Sequence, residues 1–404
     1  MLKYSKSIKI TIMKNKILLN CFFGLFLVII IIYQTNAQIY PEGHQQITFI
    51  DSSRSNRSIQ TEIYYPAISA GESTPFASGQ FPLIVFGHGF VMAWSAYQWI
   101  WDSIVPHGYI MAFPRTEGSI SPSHSNFGLD LAFLNDFIKT ENTNSSSFFY
   151  QHVATESAIM GHSMGGGASF LAAENNTNLT TLINFAAATT TPSSITAAAF
   201  VTVPTLVFIG ENDGVAPPTT NQIPMYDSCA SQCKTRITIL GGGHCYFANT
   251  NTYCSIGEGT TSPQPTITRD EQHIRTFYML KPYLDYMLKN DAISGATFLS
   301  RLTNNTDISY VRDCTTSGEN LNFNNKDENF KCYPNPAKNY IEIQTEQFEL
   351  PATLSIFDIT GREVMNKIIL HKTEKFSIEY IDAGSYFVSI SNKNAMKTQK
   401  LIKE

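Results

Sequence analysis

The chain has 404 residues, a formal net charge of −5 and a charged fraction of only 15%. This length allows one large domain or two smaller ones, and a hydrophobic fraction of 43% is enough to build a sizeable core. Because the sequence has no run of basic residues, nothing in it indicates a protein that binds nucleic acid.

The first 37 residues have the pattern of a signal peptide. Five lysines lie in residues 1–16, an uncharged apolar run covers residues 17–33, and Ala37 supplies a small residue for cleavage before Gln38. Since the apolar run is long for a signal peptide, a retained membrane anchor is the alternative. We favour the signal peptide, because the cysteines and the C-terminal residues also indicate export.

The next 250 residues alternate between apolar strands and helices. A polar stretch over residues 51–57 separates the first two strands and predicts a hairpin. The predicted strands cover residues 47–50, 59–65, 81–86, 109–114, 182–187, 205–210 and 236–240, with a further buried strand before residue 161. The predicted helices cover residues 93–105, 128–139 and 269–289, and a further Ala/Leu-rich helix follows residue 164. This alternation predicts an α/β fold with a mostly parallel central sheet.

A glycine-rich turn separates a buried strand from a helix in the middle of this region. Its sequence, Gly161-His-Ser-Met-Gly165, fits the pattern G-x-S-x-G. Side chains two positions before and after the serine would collide with the backbone of so tight a turn, so both positions are glycine. The pattern therefore predicts a nucleophile elbow that presents Ser163. The alternative is a glycine-rich turn with an idle serine.

Candidate partners follow the serine in the order typical of α/β-hydrolases, which is serine, acid, histidine. Asp213 comes after the strand over 205–210, and His244 comes after the strand over 236–240. We predict that His244 takes the proton from Ser163 and that Asp213 orients the imidazole. Glu211, at the end of its strand, is the alternative acid.

Two main-chain amides are candidate donors to an oxyanion. The amide of Met164 is predicted at a helix N-terminus, where unpaired N–H groups favour negative charge. The loop Gly87-His-Gly-Phe90 follows an early central strand, so we predict the Phe90 amide as the second donor. The ring of Phe90 and the thioether of Met164 are predicted to line the acyl site, with core packing as the alternative. His88 and His162 belong to glycine turns, and we expect them to brace loops.

Several segments resemble one family of hydrolases. They are Met160-Gly-His-Ser-Met-Gly-Gly-Gly167, Val201-Thr-Val-Pro-Thr-Leu-Val-Phe208, Glu211-Asn-Asp-Gly-Val-Ala-Pro217 and Gly242-Gly-His244. Across about residues 46–289 the chain resembles bacterial cutinases and polyester hydrolases, a group related to dienelactone hydrolases. Chlorophyllase-like proteins and platelet-activating-factor acetylhydrolases share parts of the resemblance.

The resemblance implies a single α/β-hydrolase domain that cleaves carboxylic esters without a cofactor, including polyesters such as poly(ethylene terephthalate). It assigns the nucleophile to Ser163, the acid to Asp213, the base to His244, and the oxyanion and aromatic-clamp positions to Phe90 and Met164. One departure is that residues 186–191 are small and polar, where the family usually has a Trp. We expect an open, shallow cleft.

The sequence has seven cysteines, and removal of a signal peptide that contains Cys21 leaves six. An even number in an exported protein favours disulfides, and six cysteines allow fifteen pairings. Proximity along the chain favours three of them: Cys229–Cys233, Cys245–Cys254 and Cys314–Cys332. A metal site is the weaker alternative, because the sequence has no C-x-x-C pair and no Cys/His cluster at zinc spacing, so we expect no metal.

The character of the chain changes after residue 291. Residues 294–329 are rich in Ser, Thr, Asn and Asp and are interpreted as the end of the domain and a linker. Short alternating runs then predict a small all-β sandwich, with strands over residues 340–343, 353–357, 367–370, 376–378 and 385–390. A carbohydrate-binding or interaction module is one interpretation of such a sandwich.

Four segments of this sandwich resemble a sorting domain. They are Tyr333-Pro-Asn-Pro-Ala-Lys-Asn339, Phe357-Asp-Ile-Thr-Gly-Arg-Glu-Val364, Gly384-Ser-Tyr-Phe-Val-Ser389 and Lys400-Leu-Ile-Lys403. They resemble the type A sorting domain of the type IX secretion system, which directs passage across the outer membrane and is usually cleaved off. The predicted division is therefore a signal peptide (1–37), a catalytic domain (38–314), a linker (315–332) and a sorting domain (333–404).

Together these observations predict a secreted or cell-surface serine hydrolase of carboxylic esters that acts as a monomer. Its expected partners are an ester substrate, polymeric or lipid-like, and the type IX secretion machinery. Alternatives within enzymes are a lipase, an acetylhydrolase-like esterase and a serine peptidase of related fold. The alternative from another class is a surface binding protein on an inactive hydrolase scaffold.

Overall fold

A computed structural model describes residues 39–314, 330–345, 348, 350–358, 363–391 and 396–404. The predicted signal peptide and residues 315–329 of the predicted linker lie outside the described residues. We call residues 39–314 the α/β region and the described residues from 330 to 404 the β region. Across the described part of the chain, no helix has the length and apolar character needed to cross a membrane.

The α/β region is built on one ten-stranded sheet. Its strands are β1 (Glu42–Asp51), β2 (Arg57–Pro66), β3 (Gly71–Glu72), β4 (Phe81–Gly87), β5 (Ile110–Pro114), β6 (Val153–His162), β7 (Thr181–Phe185), β8 (Thr205–Gly210), β9 (Cys233–Ile239) and β10 (Ile308–Cys314). Their order is β10-β9-β8-β7-β6-β4-β5-β2-β1-β3. The neighbours from β5 to β9 run parallel, whereas β2 pairs antiparallel with both β1 and β5. This arrangement confirms the predicted α/β-hydrolase fold.

Helices cover both faces of this sheet. They are α1 (Gln98–Ile104), α2 (His124–Glu141), α3 (Met164–Ala173), α4 (Ser194–Ala198), α5 (Gln222–Ser228), α6 (Thr252–Gly259), α7 (Arg269–Lys289) and α8 (Ala292–Asn304). Successive side chains of a strand point to opposite faces, so the wholly apolar β4 contributes to two cores. Leu83 and Val85 pack with residues of α2 and α3, whereas Ile84 and Phe86 pack with residues of α1, α7 and α8.

The start of α2 differs from the prediction, and α8 and β10 were not predicted. α2 begins at His124 rather than at residue 128, because Ser123 caps it by accepting a hydrogen bond from the amide of Asn126. Residues 294–314, interpreted from the sequence as the end of the domain without a predicted helix or strand, form most of α8 and the whole of β10. β10 was missed because it is an edge strand with mostly exposed side chains, and so lacks an apolar run.

The disulfides are Cys233–Cys314 and Cys245–Cys254. The second confirms the prediction, but the predicted pairs Cys229–Cys233 and Cys314–Cys332 are wrong. The antiparallel pairing of β9 with β10 brings Cys233 opposite Cys314, although the two residues are 81 positions apart in the chain. Cys229 and Cys332 are free and buried.

The β region contains two antiparallel sheets. Its strands are β11 (Lys331–Tyr333), β12 (Tyr340–Gln344), β13 (Ala352–Asp358), β14 (Glu363–Ile369), β15 (Thr373–Ser377), β16 (Gly384–Ser391) and β17 (Met396–Lys403). One sheet has the order β11-β12-β15 and the other has the order β14-β13-β16-β17. Inward residues of both sheets, including Ile341, Leu354 and Val388, form one apolar core. The prediction of a small all-β domain is therefore confirmed.

Candidate active site

Ser163 lies on the tight turn between β6 and α3. Its backbone has φ 55° and ψ −120°, a strained conformation for a residue with a side chain. Glycine is required on both sides of it. A Cβ on Gly161 would overlap the carbonyl group of Gly165, and a Cβ on Gly165 would overlap the carbonyl group of Gly87. The turn therefore holds Ser163 at the carboxyl end of β6, against the loop that follows β4.

The structure brings together the three residues predicted as a triad. The Nε2 atom of His244 lies 2.9 Å from the Oγ atom of Ser163, and its Nδ1 atom lies 2.8 Å from Oδ2 of Asp213. Asp213 and His244 are 2% and 1% exposed, whereas Ser163 is half-buried. This geometry allows the imidazole to accept a proton from the serine while a buried carboxylate fixes its orientation.

The second carboxylate oxygen of Asp213 also accepts hydrogen bonds. Its Oδ1 atom accepts hydrogen bonds from the amides of Val215, at 3.0 Å, and Ala216, at 2.7 Å. Hydrogen bonds of this kind stabilise the ionised carboxylate and hold it in place. The alternative acid, Glu211, instead accepts the amide of Gly241 at 2.7 Å, so its carboxylate supports the turn after β9.

The two predicted oxyanion donors lie at the start of α3 and in the loop after β4. Met164 is the first residue of α3, where the main-chain N–H groups have no acceptor within the helix. Phe90 lies in the loop after β4, and that loop contacts the elbow where Gly87 meets Gly165. The ring of Phe90 is 51% exposed, whereas the side chain of Met164 is only 3% exposed and packs in the core.

A buried chain of hydrogen bonds, absent from the sequence-based predictions, joins two loops and the end of β6 around the triad. The hydroxyl oxygen of Tyr97 accepts the amide of Gly89 at 2.7 Å and lies 2.9 Å from Nδ1 of His162. The Nε2 atom of His162 lies 3.0 Å from the carbonyl oxygen of His244. Burial holds the pKa of His162 well below its ordinary value, with the charge of His244 as a further cause, so His162 is neutral. The expectation that His162 braces loops agrees with these contacts.

His88 has a similar bracing position. Its Nδ1 and Nε2 atoms each lie 2.9 Å from a carbonyl oxygen, one of Gly89 and the other of Thr116. Complete burial lowers the pKa of His88, so the ring is neutral and donates one N–H group. His88 therefore connects the loop after β4 to the loop after β5.

The segment after the predicted base has its own supports. Glu258 on α6 is buried, and its carboxylate accepts the amide of Cys245 at 3.2 Å. Burial raises the pKa of Glu258, although this hydrogen bond opposes the shift. Arg269 donates to the carbonyl oxygens of Cys245 and Ala248, and its guanidinium lies over the ring of Tyr246. No sequence motif pointed to Glu258 or Arg269, because their partners are main-chain atoms.

Among the described residues, no group of three or more His, Cys, Asp or Glu side chains is arranged to hold a metal ion. The chemistry that the arrangement can support is nucleophilic attack by Ser163 on an electrophilic carbon, with proton transfer through His244. The amides of Met164 and Phe90 are the donors predicted from the sequence for the negative charge that such an attack creates.

The parallel sheet, the covering helices and the elbow define an α/β-hydrolase. A family model described as PET hydrolase-like matches residues 41–262, more than half of the chain, and the chain belongs to this family. A second model, described as a secretion system C-terminal sorting domain, matches residues 331–404. This sorting domain indicates export by the type IX secretion system, to the cell surface or the medium. Among proteins with curated descriptions, none matches the chain.

Proposed function

We propose that the protein is a serine hydrolase of carboxylic esters that uses Ser163, His244 and Asp213 as its catalytic triad. The observation that carries the proposal is the continuous hydrogen-bonded path from Ser163 Oγ through both nitrogens of His244 to Asp213. Ser163 is located on an elbow of the kind that presents nucleophiles in α/β-hydrolases. Membership of the PET hydrolase-like family supports the same chemistry.

The first half of the reaction forms an acyl-enzyme. Ser163 Oγ attacks the ester carbonyl carbon while His244 Nε2 takes the hydroxyl proton, and the carbonyl oxygen becomes an oxyanion. The amides of Phe90 and Met164 donate to this oxyanion, and loss of one such donor typically costs about 3–4 kcal/mol. The bond to the leaving alcohol breaks as His244 returns the proton to the alcohol oxygen.

The second half releases the acid. His244 takes a proton from a water molecule, whose oxygen attacks the acyl carbon, and the bond to Ser163 breaks as its Oγ regains a proton. Asp213 remains ionised throughout. Its carboxylate stabilises the imidazolium that forms in each half and keeps Nδ1 of His244 protonated. The amides of Val215 and Ala216 support that ionised state.

We propose bulky esters, polyesters above all, as the substrates. The PET hydrolase-like match supports an aromatic polyester, and the half-exposed ring of Phe90 offers an aromatic contact beside the nucleophile. Residues 186–191, where the family usually carries a Trp, are small and polar here, so we propose a broad and open acyl site. Lipid-like esters are included in the same proposal.

We also propose the division of the chain. Residues 1–37 are a signal peptide, residues 38–314 are the catalytic domain, residues 315–332 are a linker and residues 333–404 are the sorting domain. The two family matches, over 41–262 and 331–404, support this division. The catalytic domain acts as a monomer.

The proposal is tested with the purified protein and its Ser163→Ala variant, using p-nitrophenyl esters of short and long acyl chains and a polyester film. We expect covalent labelling by a fluorophosphonate probe, and a loss of at least about 10⁴-fold in kcat on substitution. Ser194→Ala is the matched control, since the Ser194 hydroxyl is buried without a hydrogen-bond partner in the described structure. A protein that ends at residue 314 is expected to keep the parent rate. Parent-like turnover by Ser163→Ala would overturn the proposal.

A further inference from the structure

We propose that Tyr97 is a positioning residue that holds the oxyanion loop and the catalytic base in register through His162. We call the Gly89 amide, the Tyr97 hydroxyl, the His162 ring and the His244 carbonyl the Tyr97–His162 relay. The inference rests on the serine-hydrolase function proposed above, because it assigns a role in that reaction to a residue that touches neither substrate nor the reacting atoms.

The relay is completely buried and connects the loop after β4, the end of β6 and the loop after β9. Tyr97 and His162 are both 0% exposed. The three contacts of the relay measure 2.7 Å, 2.9 Å and 3.0 Å in order from the Gly89 amide to the His244 carbonyl. Gly89 belongs to the loop after β4, His162 precedes the nucleophile, and His244 follows β9. The relay therefore links the neighbours of Phe90 and Ser163 to the main chain of the base itself.

The chemistry of the four groups fixes the direction of each hydrogen bond. The His244 carbonyl can only accept, so the proton of neutral His162 lies on Nε2. The Nδ1 atom of His162 must then accept, and the Tyr97 hydroxyl is its donor. The hydroxyl oxygen keeps a lone pair for the Gly89 amide. Met92 Sδ lies 3.3 Å from the same hydroxyl, but a thioether is a weak acceptor and competes poorly with the ring nitrogen.

One end of the relay is one residue from a proposed oxyanion donor, and the other end is the main chain of the proposed base. Gly89 precedes Phe90, whose amide is a proposed oxyanion donor, and the His244 carbonyl belongs to the base. The fit around Gly89 is tight, because an added Cβ would lie 2.6 Å from Met92 Sδ and 3.1 Å from the Tyr97 hydroxyl. Without that hydroxyl, the Gly89 amide and His162 Nδ1 would be buried without partners. Both loops would then shift to satisfy these groups.

The test is Tyr97→Phe, which keeps the ring and removes only the hydroxyl. We expect kcat to fall about tenfold, with KM within about twofold, because the loss affects the transition state more than substrate binding. The rate of labelling by the fluorophosphonate should fall by a similar factor. Tyr283→Phe is the matched control, since this buried hydroxyl lies 2.8 Å from Thr181 Oγ1, away from the triad. It should lose thermal stability with kcat within about twofold of the parent.

The outcomes separate the two proposals. A wild-type protein that neither labels nor turns over esters contradicts the serine-hydrolase function. If the wild-type protein labels, either of two results overturns the relay alone. One is a parent-like rate for Tyr97→Phe. The other is a Tyr283→Phe variant that is slowed as much as Tyr97→Phe.

A double-mutant cycle supplies a second measurement. His162→Asn removes the imidazole from the relay while Tyr97 stays in place. If both substitutions act through one relay, the double variant should be about as slow as the slower single variant, whereas independent effects would multiply. Multiplied effects would overturn the coupling. If Tyr97→Phe fails to fold, His162→Asn is compared with Tyr283→Phe by the same kcat and KM criteria.

Discussion

The α/β region and the β region bury different kinds of side chain. Among the described residues, every buried acid or histidine belongs to the α/β region: Asp51, Glu62, His88, Asp130, His162, Asp213, His244, Glu258 and Asp285. Among the β-region residues whose burial is described, the buried polar side chains are the neutral ones of Thr345, Ser355 and Ser389. Since a buried charge costs several kcal/mol unless it is paired, a chain keeps such groups where a geometry must be fixed. The described buried acids and histidines therefore all lie in the region that contains the candidate active site.

Burial of an acid is not enough to identify a catalytic residue. Asp130 is wholly buried, but it pairs with Arg54 and Arg57 at 2.7 Å and so connects the β1–β2 hairpin to α2. Asp285 likewise pairs with Lys281 and Lys289. Asp213 differs because its partner is a histidine that in turn faces a serine.

The largest expected effect separates Asp213 from the other acids. Asp213→Asn should lower kcat about 10⁴-fold, because an amide no longer fixes the tautomer of His244 or stabilises its imidazolium. The measurement is kcat for a p-nitrophenyl ester, after circular dichroism has shown that the fold is retained. Glu211→Gln is the control, and it should leave kcat within about tenfold because Glu211 supports only the Gly241 turn. A larger loss with Glu211→Gln than with Asp213→Asn would reverse the assignment of the acid.

The fold and the elbow were predictable because they depend on local patterns. The apolar β4, the glycines around Ser163 and the strand ends before Asp213 and His244 are all visible in the sequence. The Cys233–Cys314 disulfide was not predictable, because it depends on the pairing of two strands that are distant in the chain.

The Tyr97–His162 relay was missed for a related reason. A tyrosine in an aromatic-rich segment predicts core packing, and only the folded chain brings its hydroxyl to Gly89 and His162. The same holds for Glu258, whose partner is a main-chain amide that any residue could provide. Sequence patterns report which side chains are apolar and how they are spaced, but not which polar atoms meet after folding.

The disulfides supply a second contrast between the regions. Both lie in the α/β region, and we expect each to add several kcal/mol to its free energy of unfolding. Joint replacement of Cys233 and Cys314 by serine should lower the free energy of unfolding of the α/β region by about 4 kcal/mol, because this bridge closes a long loop. Replacing Cys245 and Cys254 should cost less, about 3 kcal/mol, since they are only nine positions apart. Urea unfolding followed by tryptophan fluorescence measures this, because Trp94, Trp99 and Trp101 all belong to the α/β region.

The β region provides the control for these variants. Its described cysteine, Cys332, is free, so hydrogen exchange of β12 and β13 amides should be the same in both double variants and the parent. Equal loss of protection in the β region would contradict the separation of the two regions. A smaller loss from the Cys233–Cys314 replacement than from the Cys245–Cys254 replacement would contradict the loop-length argument.

The smallest expected effect concerns a half-buried acid of the α/β region. Burial and the nearby carboxylate of Asp102 raise the pKa of Glu42 from 4.5 to about 7. A raised pKa means that the folded protein is favoured while Glu42 is protonated, below about pH 4.5, and that this advantage is lost as the pH rises through about 7. Glu42→Gln should therefore raise the free energy of unfolding by about 1–2 kcal/mol at pH 8 and leave it unchanged at pH 4.

The matched comparison is Glu271→Gln, for which the expected change in the free energy of unfolding at pH 8 has the opposite sign. Glu271 is exposed, and hydrogen bonds from the main chain and side chain of Thr268 lower its pKa, so the ionised carboxylate stabilises the start of α7. Its replacement should lower stability at pH 8, with a loss that shrinks as the pH falls below the ordinary glutamate range. Tryptophan fluorescence in urea at pH 8 and pH 4 measures both variants. Two shifts of the same sign at pH 8 would contradict the raised pKa of Glu42.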